Sequence, residues 1–103
     1  ASQPPPPNPE IAAAEAALES AVRAGAAASA PAELALARDK LVRAHASMVE
    51  SKHERAQMLA EAALVDARLA EARARQVQAS KAATTVQDDH RVLRQEIERA
   101  APQ

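Results

Sequence analysis

The chain has 103 residues, of which 30 are Ala, and it contains one Gly and no Phe, Tyr, Trp or Cys. This composition excludes a β-sandwich or barrel, which needs β-branched and aromatic residues, and it excludes a disulfide scaffold or a Cys-based zinc site. The net charge is −1, from 13 basic and 14 acidic residues. Since no basic stripe or stacking aromatic is present, we expect no nucleic-acid partner.

The first eight residues are rich in proline, with Pro4–Pro7 consecutive and Pro9 following Asn8. We expect residues 1–8 to form a stiff, extended tether of the polyproline II type. An ordinary disordered tail is one interpretation of this segment. The other is a lipoprotein tether, because similar segments follow the lipid-bearing cysteine of bacterial lipoproteins.

Two helix starts are marked by proline. Asn8 is a good N-cap, Pro9 suits the first helical position, and Gly25 lies where this first helix would stop. Pro31 then opens a second helix. The expected bounds are about 9–25 for the first helix and 31–50 for the second.

A heptad pattern follows, in which small and apolar residues alternate at spacings of three and four, with no Gly or Pro between Ala32 and Ala101. Before residue 50 the pattern comprises Leu34, Ala37, Leu41, Ala44 and Met48. After it, the pattern comprises Met58, Ala62, Val65, Leu69, Ala72, Gln76, Ala79, Ala83, Val86, His90, Leu93 and Ile97. The polar interruptions fall at Ser51 and Arg55, at Gln76 and at His90.

The first interruption is predicted to be a turn, with a third helix over about 53–99. In a straight parallel dimer, Glu61 would face Asp66 of the second copy, which is a like-charge contact, and Arg68 would likewise face Arg73. A single continuous helix through this region remains the alternative.

A reversal near residues 50–54 places opposite charges together, with Arg38 opposite Asp66 and Lys40 near Glu61. It also pairs apolar residues of the two helices. The expected pairs are Leu34 with Leu69, Leu41 with Ala62 and Val65, and Met48 with Met58.

The predicted fold class is therefore all-α: a three-helix antiparallel bundle over residues 9–99, with a long, coiled-coil-like third helix and a disordered tail at 100–103. Residues 73–99 should project beyond the bundle, where an amphipathic helix needs a partner. A parallel dimer there would set Asp89 opposite Arg94 of the second copy. The candidate interaction seam consists of Ala79, Ala83, Val86, His90, Leu93 and Ile97.

No residue set predicts catalysis or cofactor binding. His45 and His53, with Glu50 and Glu54 nearby, make a weak match to a zinc site, and we expect them to be solvated instead. His90 has two interpretations, a polar residue that specifies register and a pH-sensitive helix contact. We expect no enzyme activity, no cofactor and no metal.

Three segments carry a resemblance to a known family: residues 13–18, 32–41 and 60–72, in which Ala, Leu and charged residues alternate. Over about residues 10–80 the chain resembles an uncharacterised bacterial family of short, Ala-rich envelope lipoproteins, whose domain also occurs ahead of OmpA-like peptidoglycan-binding domains. The resemblance implies a turn at Ser51–Glu54 and transfers no catalytic residue. It also implies a signal peptide and a lipid-modified Cys ahead of Ala1.

We therefore expect a non-catalytic structural or interaction module of the cell envelope, periplasmic and anchored to the outer membrane. Its expected partner is itself or an envelope protein, and it would meet the membrane only through a lipid anchor that this chain lacks. The alternative is a ligand-binding or regulatory helical domain acting on peptidoglycan- or lipid-linked partners. The residues preceding Ala1 would decide the envelope assignment.

Overall fold

A computed structural model describes residues 8–102, which form four helices. They are α1 (Pro9–Arg23), α2 (Ala26–Ser29), α3 (Pro31–Val49) and α4 (His53–Ala100). The predictions of an all-α chain and a long C-terminal helix are confirmed, whereas the predicted count of three helices is too low. The extra helix arises because Gly25, with φ 91°, ends α1 in the left-handed region and lets the chain form one further helical turn before Pro31.

The two chain ends bear on the predicted domain bounds. Of the predicted tether, residues 1–7 lie outside the described residues. Asn8 is described, and its Oδ1 accepts a hydrogen bond from the Ile11 backbone N–H at 3.0 Å, which caps α1 as predicted. At the other end α4 includes Ala100, the first residue of the predicted tail.

The chain reverses between α3 and α4 through a turn that lacks glycine. The N–H of Ser51 donates to the carbonyl of Met48 at 3.0 Å, and the N–H of Lys52 donates to the carbonyl of Ser47 at 2.8 Å. This pair of bonds is the Schellman arrangement, which requires a left-handed residue after the helix end. Ser51 takes that position with φ 59°. The hairpin prediction is therefore right, and the straight helix is not formed.

Ion pairs fix the antiparallel alignment of α3 and α4. Lys40 Nζ lies 2.7 Å from Asp66 Oδ2, and Arg73 Nη1 lies 3.1 Å from Glu33 Oε1. The predicted pairing of Arg38 with Asp66 and of Lys40 with Glu61 is wrong, because α4 presents a different face to α3 from the one that the heptad pattern indicated.

The face of α4 that is buried consists entirely of alanine, and we call it the alanine seam. Each member has a relative exposure of 0 %: Ala56, Ala60, Ala63, Ala67, Ala70 and Ala74. At one end these alanines pack with Ile11 and Leu41, and at the other end with Leu34. Small side chains let the helix axes approach closely, because packing distance depends on the residues at the contact.

The larger apolar residues that the heptad pattern predicted for the core side of α4 are outside this core. Met58, Val65 and Leu69 are 69 %, 64 % and 48 % exposed, so the predicted pairing of Leu34 with Leu69 and of Met48 with Met58 is wrong. Leu34 instead packs with Ala70 and Ala74. Because residues 50–52 are not helical, the heptad phase of α3 need not continue into α4, and close packing of the helices selects the face with the smaller side chains.

Candidate interaction surface

The bundle covers α4 only as far as Gln78. Ala74 is the last fully buried residue of α4, and it packs with Ala26 of α2. The Gln78 side-chain amide then donates to the carbonyl of Ala24 at 2.6 Å. Residues 79–100 are all exposed and form what we call the overhang, about 33 Å long at the helical rise. It starts six residues later than predicted, because α2 extends the bundle.

The six residues of the predicted seam all lie on the overhang, and all are exposed. The largest of them, Val86, Leu93 and Ile97, expose 54 %, 56 % and 62 % of their surface. The six residues are spaced three and four positions apart, which places them along one side of the helix. Whether this side binds a partner stays a prediction.

The same line of residues continues onto the bundled part of α4. We call the whole line the outer stripe, and it consists of Met58, Ala62, Val65, Leu69, Ala72, Gln76, Ala79, Ala83, Val86, His90, Leu93 and Ile97. Each member from Met58 to Gln76 lies two positions after a residue of the alanine seam. Two positions correspond to a rotation of about 200° around the helix axis, so the two sets lie on opposite faces of α4. The helix therefore carries two parallel seams, one buried and one exposed.

Val65 and Leu69 were not predicted to be surface residues, because the heptad pattern assigned them to the core. A signal was present: six alanines from Ala56 to Ala74 have the same three-and-four spacing as the predicted heptad. A stripe of alanine alone indicates a close helix contact, which leaves the larger stripe for solvent or for a partner.

A shallow hollow, open to solvent, lies on the outer stripe near the end of the overhang. It is lined by His90, Leu93, Arg94 and Ile97. These four residues are spaced i, i+3, i+4 and i+7, which is the diamond that receives one side chain of a facing helix in a coiled coil.

Charged residues flank the outer stripe on both edges along α4. On one edge, Glu61, Arg68 and Arg75 lie in the bundled part, whereas Asp89 and Glu96 lie in the overhang. On the other edge, Asp66 and Arg73 lie in the bundled part and Arg94 lies in the overhang.

One carboxylate holds α1 against α4. Glu71 Oε1 accepts hydrogen bonds from Arg75 Nη2 at 2.7 Å and Nε at 3.1 Å, and from Ser20 Oγ of α1 at 2.9 Å. The Arg75 guanidinium, followed by the Ser20 hydroxyl, lowers the pKa of Glu71 below its ordinary value.

The histidines do not form a metal centre. His45 Nε2 lies 2.7 Å from Glu15 Oε1, which links α3 to α1. Over residues 8–102, no three His, Asp or Glu side chains are grouped closely enough to hold a metal ion. His90 is exposed on the overhang, beside the hollow.

The hollows near the bundle are shallow. One of about 310 Å³ is lined by Leu18, Glu19, Val22, Arg23 and Arg38, and another of about 290 Å³ lies beside the α3–α4 turn, near Lys52 and Arg55. Both are open to solvent, whereas ligand sites enclose most of the ligand surface. The outer stripe is the more extended feature, because it runs along α4 from Met58 to Ile97.

Within the described residues, no helix has the combined length and apolarity needed to cross a bilayer.

Comparisons with known proteins place the chain in a family. No curated protein and no solved structure matches the chain. A family model described as "Domain of unknown function (DUF4398)" matches residues 9–86, which span the bundle and the first part of the overhang. The chain therefore belongs to this uncharacterised domain family.

Proposed function

We propose that this chain is a non-catalytic structural or interaction module of the bacterial cell envelope, and that it acts by binding a protein partner along the outer stripe. The observation that carries the proposal is the overhang. Its 22 residues, 79–100, are helical although no other part of the described chain covers them. In proteins most helical stability comes from packing an amphipathic face, so a partner that covers the apolar side would stabilise the overhang.

The exposed residues make this side suitable for a partner helix. Val86, Leu93 and Ile97 each leave about half or more of their surface in water. Fully burying one such side chain contributes roughly 1.5–3 kcal/mol, so covering the stripe would release a substantial part of that free energy. Helix-in-groove and coiled-coil partners use this i, i+3, i+4, i+7 pattern of anchors.

The proposed location is the periplasmic side of the outer membrane, with the chain as the soluble part of a lipoprotein. Two features support it: the proline-rich residues 4–9, which suit a stiff spacer, and the resemblance of residues 10–80 to envelope lipoproteins. A lipid anchor would lie outside this chain. The bundle would then be held at a distance from the bilayer with its outer stripe available.

Substitution at Leu93 tests the binding surface. Sedimentation equilibrium is measured for the wild type and for Leu93→Glu, and a photo-crosslinking amino acid is placed at position 93 in cells. Val92→Glu is the matched control, since Val92 is 47 % exposed on the same turn but lies outside the outer stripe. We expect Leu93→Glu to abolish association and Val92→Glu to retain it. A monomeric wild type that also gives no crosslink in cells would overturn the proposal.

The location has its own test. The full-length protein, expressed in its own bacterium, should incorporate radiolabelled palmitate and co-sediment with outer-membrane fractions. Replacement of the candidate lipid-bearing cysteine by serine should abolish both results. Unlabelled protein recovered from the cytoplasm would refute the envelope assignment.

A further inference from the structure

We infer that the outer stripe binds a second copy of this chain in antiparallel orientation, with residues 65–97 of one α4 lying along residues 97–65 of the other. This inference rests on the proposed function and names its partner. The contact would be about 50 Å long at the helical rise. The overhang of each copy would cover the outer face of the other copy's bundle, and the two bundles would lie at opposite ends.

This register places large apolar residues together. Val65 meets Ile97 of the second copy, and Leu69 meets Leu93 of the second copy. Because the arrangement is two-fold symmetric, each pairing occurs twice. Between these two apolar pairings, the contacts involve smaller or polar residues. Ala79 meets Ala83 of the second copy near the two-fold axis.

The hollow on the overhang fits the same register. Leu93, one of its lining residues, faces Leu69 of the second copy. Leu69 is 48 % exposed on the bundled part of α4. One leucine side chain would therefore enter the diamond formed by His90, Leu93, Arg94 and Ile97, as a knob enters a hole.

The flanking charges are complementary in this register. On one edge Arg68 faces Glu96 of the second copy, and Arg75 faces Asp89 of the second copy. On the other edge Asp66, which already pairs with Lys40 at 2.7 Å and whose side chain is 17 % exposed, faces Arg94 of the second copy. By symmetry this makes six opposite-charge contacts and no like-charge contact at these positions. Arg75 already binds Glu71, and a guanidinium with five N–H donors can serve both carboxylates.

Other alignments have fewer favourable pairs and introduce like-charge contacts. In a parallel dimer Glu61 faces Asp66 and Arg68 faces Arg73, and only Asp89 with Arg94 is favourable. Sliding the antiparallel pair by one heptad brings like charges together in either direction. One slide places Glu61 opposite Glu96, and the other places Arg73 opposite Arg94. Charge pairs of this kind set orientation and register in coiled coils.

Disulfide trapping tests orientation directly, because the chain has no cysteine of its own. Two single variants, Leu69→Cys and Leu93→Cys, are mixed in equal amounts and oxidised. We expect a disulfide only between the two different variants, which mass spectrometry identifies. Identical positions would be about 36 Å apart in the antiparallel dimer, so neither variant alone should crosslink. Disulfides between identical variants would show a parallel dimer and overturn the inference.

A charge exchange tests register without changing an apolar residue. We expect Arg68→Glu to weaken dimerisation about tenfold, because it creates two like-charge contacts with Glu96. Arg68→Glu combined with Glu96→Arg should restore the wild-type Kd to within about threefold. Lys81→Glu is the control, since Lys81 lies on the face of α4 away from the outer stripe. A dimer indifferent to Arg68→Glu would overturn the register.

Failure of this inference can be distinguished from failure of the proposed function. A wild-type chain that is monomeric at every concentration reached refutes the self-association. If the crosslinker at position 93 then captures a different protein in the envelope, the proposed interaction role still stands. If it captures none, both are refuted.

Discussion

The side-chain amide of Gln78 donates a hydrogen bond to the backbone carbonyl of Ala24 across 54 residues of sequence, at 2.6 Å. Ala24 caps the C-terminus of α1, where carbonyls lack partners within the helix. Gln78 also marks the point where α4 leaves the bundle. One bond therefore closes the end of α1 and fixes where the overhang starts.

Replacing Gln78 by Ala should lower the free energy of unfolding by about 0.5–1.5 kcal/mol, the usual net contribution of one hydrogen bond. The carbonyl of Ala24 would then have to be satisfied by water. Urea denaturation followed by circular dichroism measures the change. Gln95→Ala, on the overhang, controls for helix propensity and should be neutral or slightly stabilising. Equal effects of the two substitutions would deny Gln78 this capping role.

Ser51→Gly should stabilise the protein by about 1 kcal/mol, because a left-handed φ is costly for any residue with a Cβ. The φ of 59° at Ser51 is needed for the Schellman turn between α3 and α4. Ser80→Gly is the matched control, and it should destabilise by about 1 kcal/mol because Ser80 lies within α4. Thermal melts of both variants measure the two signs. A loss of stability on Ser51→Gly would mean that the turn adopts another geometry.

Enlarging alanines on the two faces of α4 should have unequal effects. Ala67 is 0 % exposed in the alanine seam, and Ala67→Leu should cost about 1–3 kcal/mol through overpacking. Ala72 is exposed on the outer stripe, and Ala72→Leu should change the stability of the monomer by less than about 0.5 kcal/mol. Chemical denaturation at low protein concentration separates folding from association. If Ala72→Leu proved the more damaging, the assignment of the two faces would have to be reversed.

Stability should depend on pH through Glu71. The pKa of its carboxyl lies below the ordinary value of 4.5 in the folded chain, chiefly because of the Arg75 guanidinium and then the Ser20 hydroxyl. A lowered folded pKa means that the contribution of Glu71 is complete above the ordinary pKa and is lost as the pH falls through the folded pKa. The stability difference between the wild type and Glu71→Gln should therefore shrink as the pH falls below about 4.5.

NMR titration of the Glu71 carboxyl measures this pKa directly. Ser20→Ala should raise the pKa towards its ordinary value, because one hydrogen bond to the carboxylate is removed. Ser80→Ala removes a hydroxyl from the overhang and should leave the titration of Glu71 unchanged. A carboxyl that titrates at its ordinary value in the wild type would contradict the bond from α1 to α4.

Local sequence determined where α1 begins and ends and where α3 begins. Asn8 caps α1, Pro31 opens α3, and Gly25 ends α1, since each residue has a backbone or side-chain property that acts within one turn. The reversal near residue 50 was also predicted correctly, although the ion pairs expected across it are not the ones that form. The six candidate seam residues are exposed on the overhang, and their role in binding stays a prediction.

Tertiary packing decided which face of α4 is inside. The spacing of Met58, Val65 and Leu69 is as regular as that of Ala56, Ala60 and Ala63, so periodicity alone offers two seams and favours the larger residues. Three helices packed closely together select the seam with the smallest side chains, because only alanine lets the backbones approach. That selection left the larger residues on the outside, where the outer stripe runs on from the bundle into the overhang.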